Sequence, residues 1–341
     1  MAQQAPCIVS VDVTTAAYNG YLMPLDAYWN AEPESFRAAW SESILSAARW
    51  DGELWGVPSW GGVYAEVYNR DLVEAAGLDP ENPPATWAEY MTWAEALSGD
   101  DQWATAILGG RTDTTTRVLL SWIYSNGGEP FNADMTESRF AADPRSLEAI
   151  KTYLGLEAKG LAAPGATTIN YLEQTNLFAQ NRIATMRNAY WSVAKVLGDN
   201  PALEGKLFVA DPPMNVEEKA TVATMTADSI SSSCAHPDEA WAFIKFNNER
   251  KWAVQRATVA NWMPLRNDVS DDPEIASNPM LRKFVEIGGY AKTYPLPHPH
   301  WADISTNDIV DAVQEALLEP ERVEEIFQAL DAKLNEKLND V

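Results

Sequence analysis

The sequence predicts an α/β protein with two domains. The length of 341 residues, at roughly 150 residues per domain, leaves room for two ample cores. Short β-rich runs alternate with helical stripes along nearly the whole chain, which is the pattern of an α/β architecture. A hydrophobic fraction of 46% with 10% aromatics excludes a disordered chain, despite a formal net charge of −24.

Taken in order, Cys7–Val11 is a β-rich run that stops at Asp12. Leu54–Pro58 and Val63–Tyr68 are two further strands, parted by Gly61-Gly62. Asp71–Ala76 is helical and ends at Gly77, a residue suited to the left-handed turn after a helix. After the loop holding Pro80, Pro83 and Pro84, Thr86 caps a helix to about Leu97. Ala104–Leu108 is a strand that breaks at Gly109-Gly110; a helix over Arg117–Tyr124 ends at Asn126-Gly127-Gly128, and another spans Pro144–Lys159. Ile183–Met186, Leu207–Ala210 and Thr221–Met225 are strands. Pro237 opens a helix that runs to about Ala257, with Asp238 and Glu239 in the first turn where the dipole favours them. Two closing helices carry the stripes Ile309, Val313, Leu317 and Val323, Phe327, Leu330, Leu334.

The charge balance limits the partners. With 25 Lys+Arg against 49 Asp+Glu, the surface lacks the basic footprint that nucleic acid or an anionic membrane needs. No stretch reaches the ~20 apolar residues of a membrane span. Met1–Pro6 has neither the basic nor the apolar region of a signal peptide, so the chain taken literally is cytosolic. Cys7 and Cys234 form no Cys-x-x-Cys pair; whether they pair with each other stays open, and their apolar or small-residue surroundings favour free buried thiols.

Little points to catalysis. There is no P-loop, no Gly-x-Ser-x-Gly, no His-Glu-x-x-His and no dinucleotide fingerprint, so no cofactor is expected. Of three histidines, His298 and His300 flank Pro299 without a third ligand nearby, a stiff loop and not a metal site. Paired acids of the glycosidase kind are not excluded by counting, but among 49 carboxylates any chosen pair is first of all solvated surface.

One ordered set of motifs is more specific. Asp51-Gly52-Glu53-Leu54-Trp55-Gly56-Val57-Pro58 is followed by Val67-Tyr68-Asn69-Arg70-Asp71-Leu72-Val73-Glu74-Ala75-Ala76-Gly77-Leu78, and then by Pro84-Ala85-Thr86-Trp87-Ala88-Glu89-Tyr90. Asn126-Gly127-Gly128, Phe178–Met186, Trp191, His236–Phe243, Met263-Pro264-Leu265-Arg266 and the closing helix pair continue it. From about Ala5 to the end, this order resembles the extracellular sugar-binding proteins of ABC importers, the group that includes maltose-binding protein.

The resemblance implies a two-lobe periplasmic-binding-protein-like fold whose interleaved lobes close on ligand about a hinge. It puts one lobe at 1–108 plus 230–290 and the other at 111–225 plus 295–341. The crossings fall near Leu108–Arg111, Met225–Ile230 and Gly289–Pro295. It implies a periplasmic or extracellular monomer that delivers a sugar or oligosaccharide to the permease subunits. It also implies about two strands and a helix, and a signal sequence, ahead of the segment beginning near Pro6, so Met1 reads as an internal methionine of a mis-started or truncated version, with a shortened relative as the alternative.

A sugar offers hydroxyls at its rim and a C–H patch on its face, so its site needs aromatic platforms beside hydrogen-bonding groups. The 14 tryptophans supply platforms in surplus. Trp87, Trp93, Trp103, Trp122, Trp241 and Trp252 suit helix faces or strand ends and belong to packing. Trp60 and Tyr64 flank the glycine pair, Trp191 follows Tyr190, and Trp262 precedes Met263-Pro264; by family position these four and Tyr190 are binding candidates. Asp12, Asp113 and Asp228 are candidate hydroxyl acceptors, with turn or surface acids as the plain alternative. Arg111 and Arg266 are candidate donors, with a structural ion pair as the alternative. Two other readings remain: a glycan-acting enzyme, or the same fold binding a polyol or an anionic sugar, a sugar phosphate or a sulfonate that the two arginines clamp.

Overall fold

The structure is a computed structural model that describes residues 5–340. The chain divides into two compact units. The first takes residues up to Gly62, Ala223–Val285 and Thr293–Ala302; the second takes Val63–Val222, Glu286–Lys292 and the chain from Asp303 onward. Residues 63–108, grouped with the first lobe on sequence, fall in the second unit. The cause is local: Ala65–Asn69 is the middle strand of a sheet built within that unit.

The strands are β1 Ile8–Val11, β2 Arg49–Trp50, β3 Glu53–Leu54, β4 Val57–Val63, β5 Ala65–Asn69, β6 Thr185–Asn188, β7 Leu207–Ala210, β8 Val222–Ile230, β9 Met263–Pro264 and β10 Lys292–Tyr294. The largest sheet has the order β1-β8-β4-β9, with β10 also paired to β8. β1 and β8 run antiparallel, with Ile8 opposite Ile230 and Val11 opposite Ala227. β2 and β3 form a hairpin whose two-residue turn is Asp51-Gly52, both at positive φ (50° and 81°), the conformation a tight hairpin demands. In the second unit the order is β6-β5-β7, so β5 is paired on both edges.

β4 differs from expectation by running straight through Gly61-Gly62, which the sequence reads as a break. Here glycine serves close approach instead of a turn: a Cβ on Gly61 would overlap the carbonyl oxygen of Thr224 on β8. Ala104–Leu108 does not form a regular strand: Trp103 and Thr105 make isolated bridges to Ile183 and Ala162, while Leu108 N–H donates to the Tyr153 hydroxyl at 2.8 Å and the Ala106 carbonyl accepts from Gln174 at 3.1 Å. The long helix expected from Pro237 is two helices, Pro237–Asn247 and Arg250–Val259, broken where Glu249 starts the second. The capped helix is Trp87–Leu97, closed by the reciprocal bonds of Thr86 and Glu89.

In the first unit Trp29, Trp40 and Trp241 are buried with Leu25, Leu54, Val57 and Ile230. The indole N–H of Trp40 reaches the Pro58 carbonyl at 2.7 Å, and that of Trp241 reaches Glu32 at 2.9 Å, so both polar tips are satisfied. Cys7 and Cys234 are joined in a disulfide, with Cα atoms 4.6 Å apart, against the expectation of free thiols. Their sequence separation of 227 hides the pairing; the β1–β8 ladder brings the ends together, where Ser231 N–H donates to the Cys7 carbonyl at 2.9 Å.

The second unit packs Trp87, Tyr90, Trp122 and Tyr153 against the sheet, with ring centroids of Trp122 5.4 Å from Trp87 and from Tyr153. At its centre Arg187 donates to Glu66 at 3.0 Å, with side chains 3% and 1% exposed, and its guanidinium lies 4.3 Å over the Trp122 ring. Burial pushes the Glu66 carboxyl up, and the Arg187 charge opposes this. Of the tryptophans assigned to packing, Trp87, Trp93, Trp122 and Trp241 are buried, while Trp103 and Trp252 are half-buried. Among the described residues no helix is long and apolar enough to cross a membrane.

Candidate functional site

The candidate residues fall into two groups, one on each unit. In the first unit, β4 pairs antiparallel with β9 so that Trp60 lies opposite Pro264 and Gly61 opposite Met263. This register carries Trp262, one residue ahead of β9, onto Trp60. The indoles stack with centroids 4.1 Å apart and planes 22° apart, and both are half-buried. Each ring covers one face of the other, so the pair retains only outer faces for a third flat apolar surface. Asn261, at φ 55°, makes the left-handed turn that aims Trp262 back, and the Trp262 N–H donates to the Arg256 carbonyl at 3.1 Å.

The polar candidates of this unit make internal bonds. Asp12 is the N-cap of the helix Val13–Tyr18, accepting from Thr15 N–H at 3.2 Å. Asp228 is buried in β8 and accepts from Ser10 at 3.2 Å, Asn247 at 2.8 Å and Asn248 at 3.0 Å. Arg266 grips Asp268 with two nitrogens, at 2.9 and 2.6 Å, donates to the Asn248 carbonyl at 2.8 Å and lies 4.9 Å over Trp40. That is the structural ion pair named as its alternative.

In the second unit Tyr64 is fully buried between β4 and β5, edge-on to Trp191 with centroids 6.3 Å apart. Its N–H donates to the Val222 carbonyl at 2.9 Å, and its carbonyl accepts from Thr221 Oγ1 at 2.8 Å. Burial pushes the Tyr64 hydroxyl above the ordinary phenol range, while the Arg117 charge beside it pulls the other way and Asp113 adds to the rise. Asp113 opens the helix Asp113–Ser125 and pairs with Arg117 one turn on.

Trp191 is the second residue of the helix Tyr190–Asp199 and half-buried, whereas Tyr190 is 3% exposed and belongs to the interior. The chain ahead of them is held by Asn188, which donates to Gln174 at 2.9 Å, while Gln174 donates to the Ala106 carbonyl at 3.1 Å. Arg111 stands apart on the surface, paired with Asp311 at 2.6 Å.

So the structure groups Trp60 with Trp262, and Tyr64 with Asp113 and Trp191; Asp12, Asp228, Arg266 and Arg111 serve caps, networks and ion pairs. Sequence reasoning missed Arg117, for which its spacing of four from Asp113 was an available signal. It also missed Arg256, for which nothing local was. Among the described residues no group of three His, Cys, Asp or Glu is arranged to hold a metal ion.

Comparison with known proteins agrees with this architecture. Residues 6–251 match a family model described as bacterial extracellular solute-binding protein. A binding protein of Brucella abortus is 27% identical over 293 residues, covering 84% of this chain and 69% of the relative. The maltotriose-binding protein of Pyrococcus abyssi is 21% identical over 330 residues, covering 94% of this chain and 66% of the relative. An ABC-transporter solute-binding protein of Thermotoga lettingae, solved with α-D-tagatose, superposes with a TM-score of 0.89 at 24% identity, over 99% of this chain and 86% of that one. These matches establish the two-lobe binding-protein fold.

Proposed function

The chain belongs to the bacterial extracellular solute-binding proteins, a family of binding proteins and not of enzymes, and on that premise we propose that it captures a neutral sugar or oligosaccharide for an ABC importer. The observation that carries the sugar reading is the half-buried Trp60–Trp262 stack, whose outer faces suit the C–H patch of a pyranose or furanose. On the second unit, Trp191 is a half-buried aromatic edge-on to Tyr64, and the Asp113–Arg117 ion pair lies beside that tyrosine. Arg111 and Arg266, each already paired with a carboxylate, disfavour an anionic ligand.

The protein acts on the extracytoplasmic side as a monomer and hands its ligand to the permease. The Cys7–Cys234 disulfide supports that compartment, since such bonds persist where the surroundings are oxidising. The two units are the two lobes of the fold.

A thermal-shift screen over neutral sugars, polyols, sugar phosphates and sulfonates tests the reading. A ligand at 100 times its Kd adds about 2.7 kcal/mol to stability by mass action, and one class of neutral sugar is expected to do so. Shifts confined to phosphates or sulfonates would replace it with the anionic reading. Conversion of labelled oligosaccharide to products would oppose a pure binding role.

A further inference from the structure

We propose that Arg256 is the positioning residue of the Trp60–Trp262 platform, setting the geometry of the stack from the helix behind it. The ligand role of that platform rests on the proposed sugar binding; the positioning role stands on contacts within one unit.

Arg256 lies on the helix Arg250–Val259 and reaches both halves of the pair. Its carbonyl accepts the Trp262 N–H at 3.1 Å. Its Nη2 donates to the carbonyl of Ser59, the residue before Trp60, at 3.5 Å. Its Nη1 donates to the Asn247 carbonyl at 2.7 Å and to Asn247 Oδ1 at 3.3 Å. Asn247 in turn donates to Asp228, so the guanidinium faces a carboxylate across one amide and is not left as an isolated charge. The planar fork sends one nitrogen toward β4 and the other toward the preceding helix, which a lysine ammonium on a flexible stem does not reproduce.

The arrangement is costly for stability alone. The acceptors are neutral oxygens, and the buried Nε has no acceptor among the described residues. A half-buried guanidinium held by neutral acceptors, with its Nε unpaired, gains less than a well-packed apolar side chain would. Its retention fits a geometric role: the β4–β9 pairing sets the register of the two rings, and Arg256 adds a tie from the helix behind them, through its guanidinium to Ser59 and through its carbonyl to Trp262.

Stacked indoles couple their transitions, so the pair gives an exciton couplet in far-UV circular dichroism with no ligand present. Subtracting the spectra of Trp60→Phe and Trp262→Phe isolates it. Arg256→Met keeps the length of the stem and removes the fork; it is expected to lose most of the couplet while the protein still melts cooperatively. Arg256→Lys is expected to restore part of it, an intermediate rescue that loss of packing alone would not show. A full couplet in either variant overturns the positioning role. Calorimetric titration with the sugar that gives the largest shift in the screen is the second arm, in which Arg256→Met is expected to bind about tenfold more weakly. A lost couplet with unchanged affinity would uphold positioning by Arg256 and refute the stack as a ligand platform, which separates the two failures.

Discussion

Replacing Trp262 by Ala isolates the aromatic platform with the fewest side effects. Trp262 lies in a connecting segment ahead of a two-residue strand, and its ring contacts Trp60 face to face at 4.1 Å. A sugar face covering ~50 Å² of indole, at ~25 cal/mol per Å², gains about 1.3 kcal/mol. The oriented C–H contact with the ring adds about 0.5–1 kcal/mol. Together these give about 2 kcal/mol, or roughly a 30-fold rise in Kd. Removing the ring also frees the inner face of Trp60, which collapses into the gap or becomes hydrated, so the loss is not recovered by the surviving indole. The assay is isothermal titration with the sugar found by thermal shift, beside Trp262→Phe, which keeps a smaller ring and is expected to lose only a few-fold. A Kd within twofold of wild type in a cooperatively folded Trp262→Ala protein would refute the platform and, with it, the carrying observation for sugar binding.

Reducing the Cys7–Cys234 bond, or replacing both residues by Ser, is expected to lower the melting temperature in calorimetry. The sequence separation of 227 puts the chain-entropy contribution near the upper end of the usual range, about 5 kcal/mol, and an unchanged melt would show that the bond does not limit unfolding. Asp331→Ala is expected to cost about 3–5 kcal/mol in urea unfolding, since its carboxylate holds the Ser138 hydroxyl at 2.6 Å and the amides of Phe140, Ala141 and Ala142 at 2.7, 2.8 and 3.2 Å. Amide exchange should rise first over residues 138–142, and uniform exchange would locate the damage elsewhere. Asp303 is held below the ordinary carboxyl range by its bonds from Lys337 and Asn307. A carboxyl depressed in the folded state contributes stability that is complete above the unfolded pKa of about 3.9 and is lost as pH falls through the folded value. Asp303→Asn is therefore expected to flatten the acid limb of a melting-temperature profile, and an unaltered limb would remove this pair from the cause of acid unfolding.

The elements most legible in the sequence were those whose signals are local. Thr86 with Glu89 announces the start of a helix because the capping bonds span only three residues. The closing stripes are read correctly because a helix of 16 residues, Val323–Leu338, repeats its apolar face often enough to show. Gly61-Gly62 was misread because the same residue serves a turn and a close strand crossing, and only the carbonyl of Thr224 on β8 tells them apart. The break at Asn248-Glu249 was missed because Asn248 turns its amide to Asp228, 20 residues earlier in the chain.

For the candidate site the division is the same. Sequence by itself determined the α/β class, the surplus of flat aromatics, the acidic surface without a nucleic-acid footprint and, through motif order, the family. Tertiary structure alone decided which aromatic meets which. Trp60 and Trp262 are 202 positions apart in the numbering yet stack at 4.1 Å because β4 and β9 pair in one particular register. It decided that Asp228 and Arg266 are consumed by Asn247, Asn248 and Asp268, and that Cys7 finds Cys234. The physical reason is that residue type limits what a side chain is able to do, whereas strand register and burial choose its partner, and neither is written in the residues next to it.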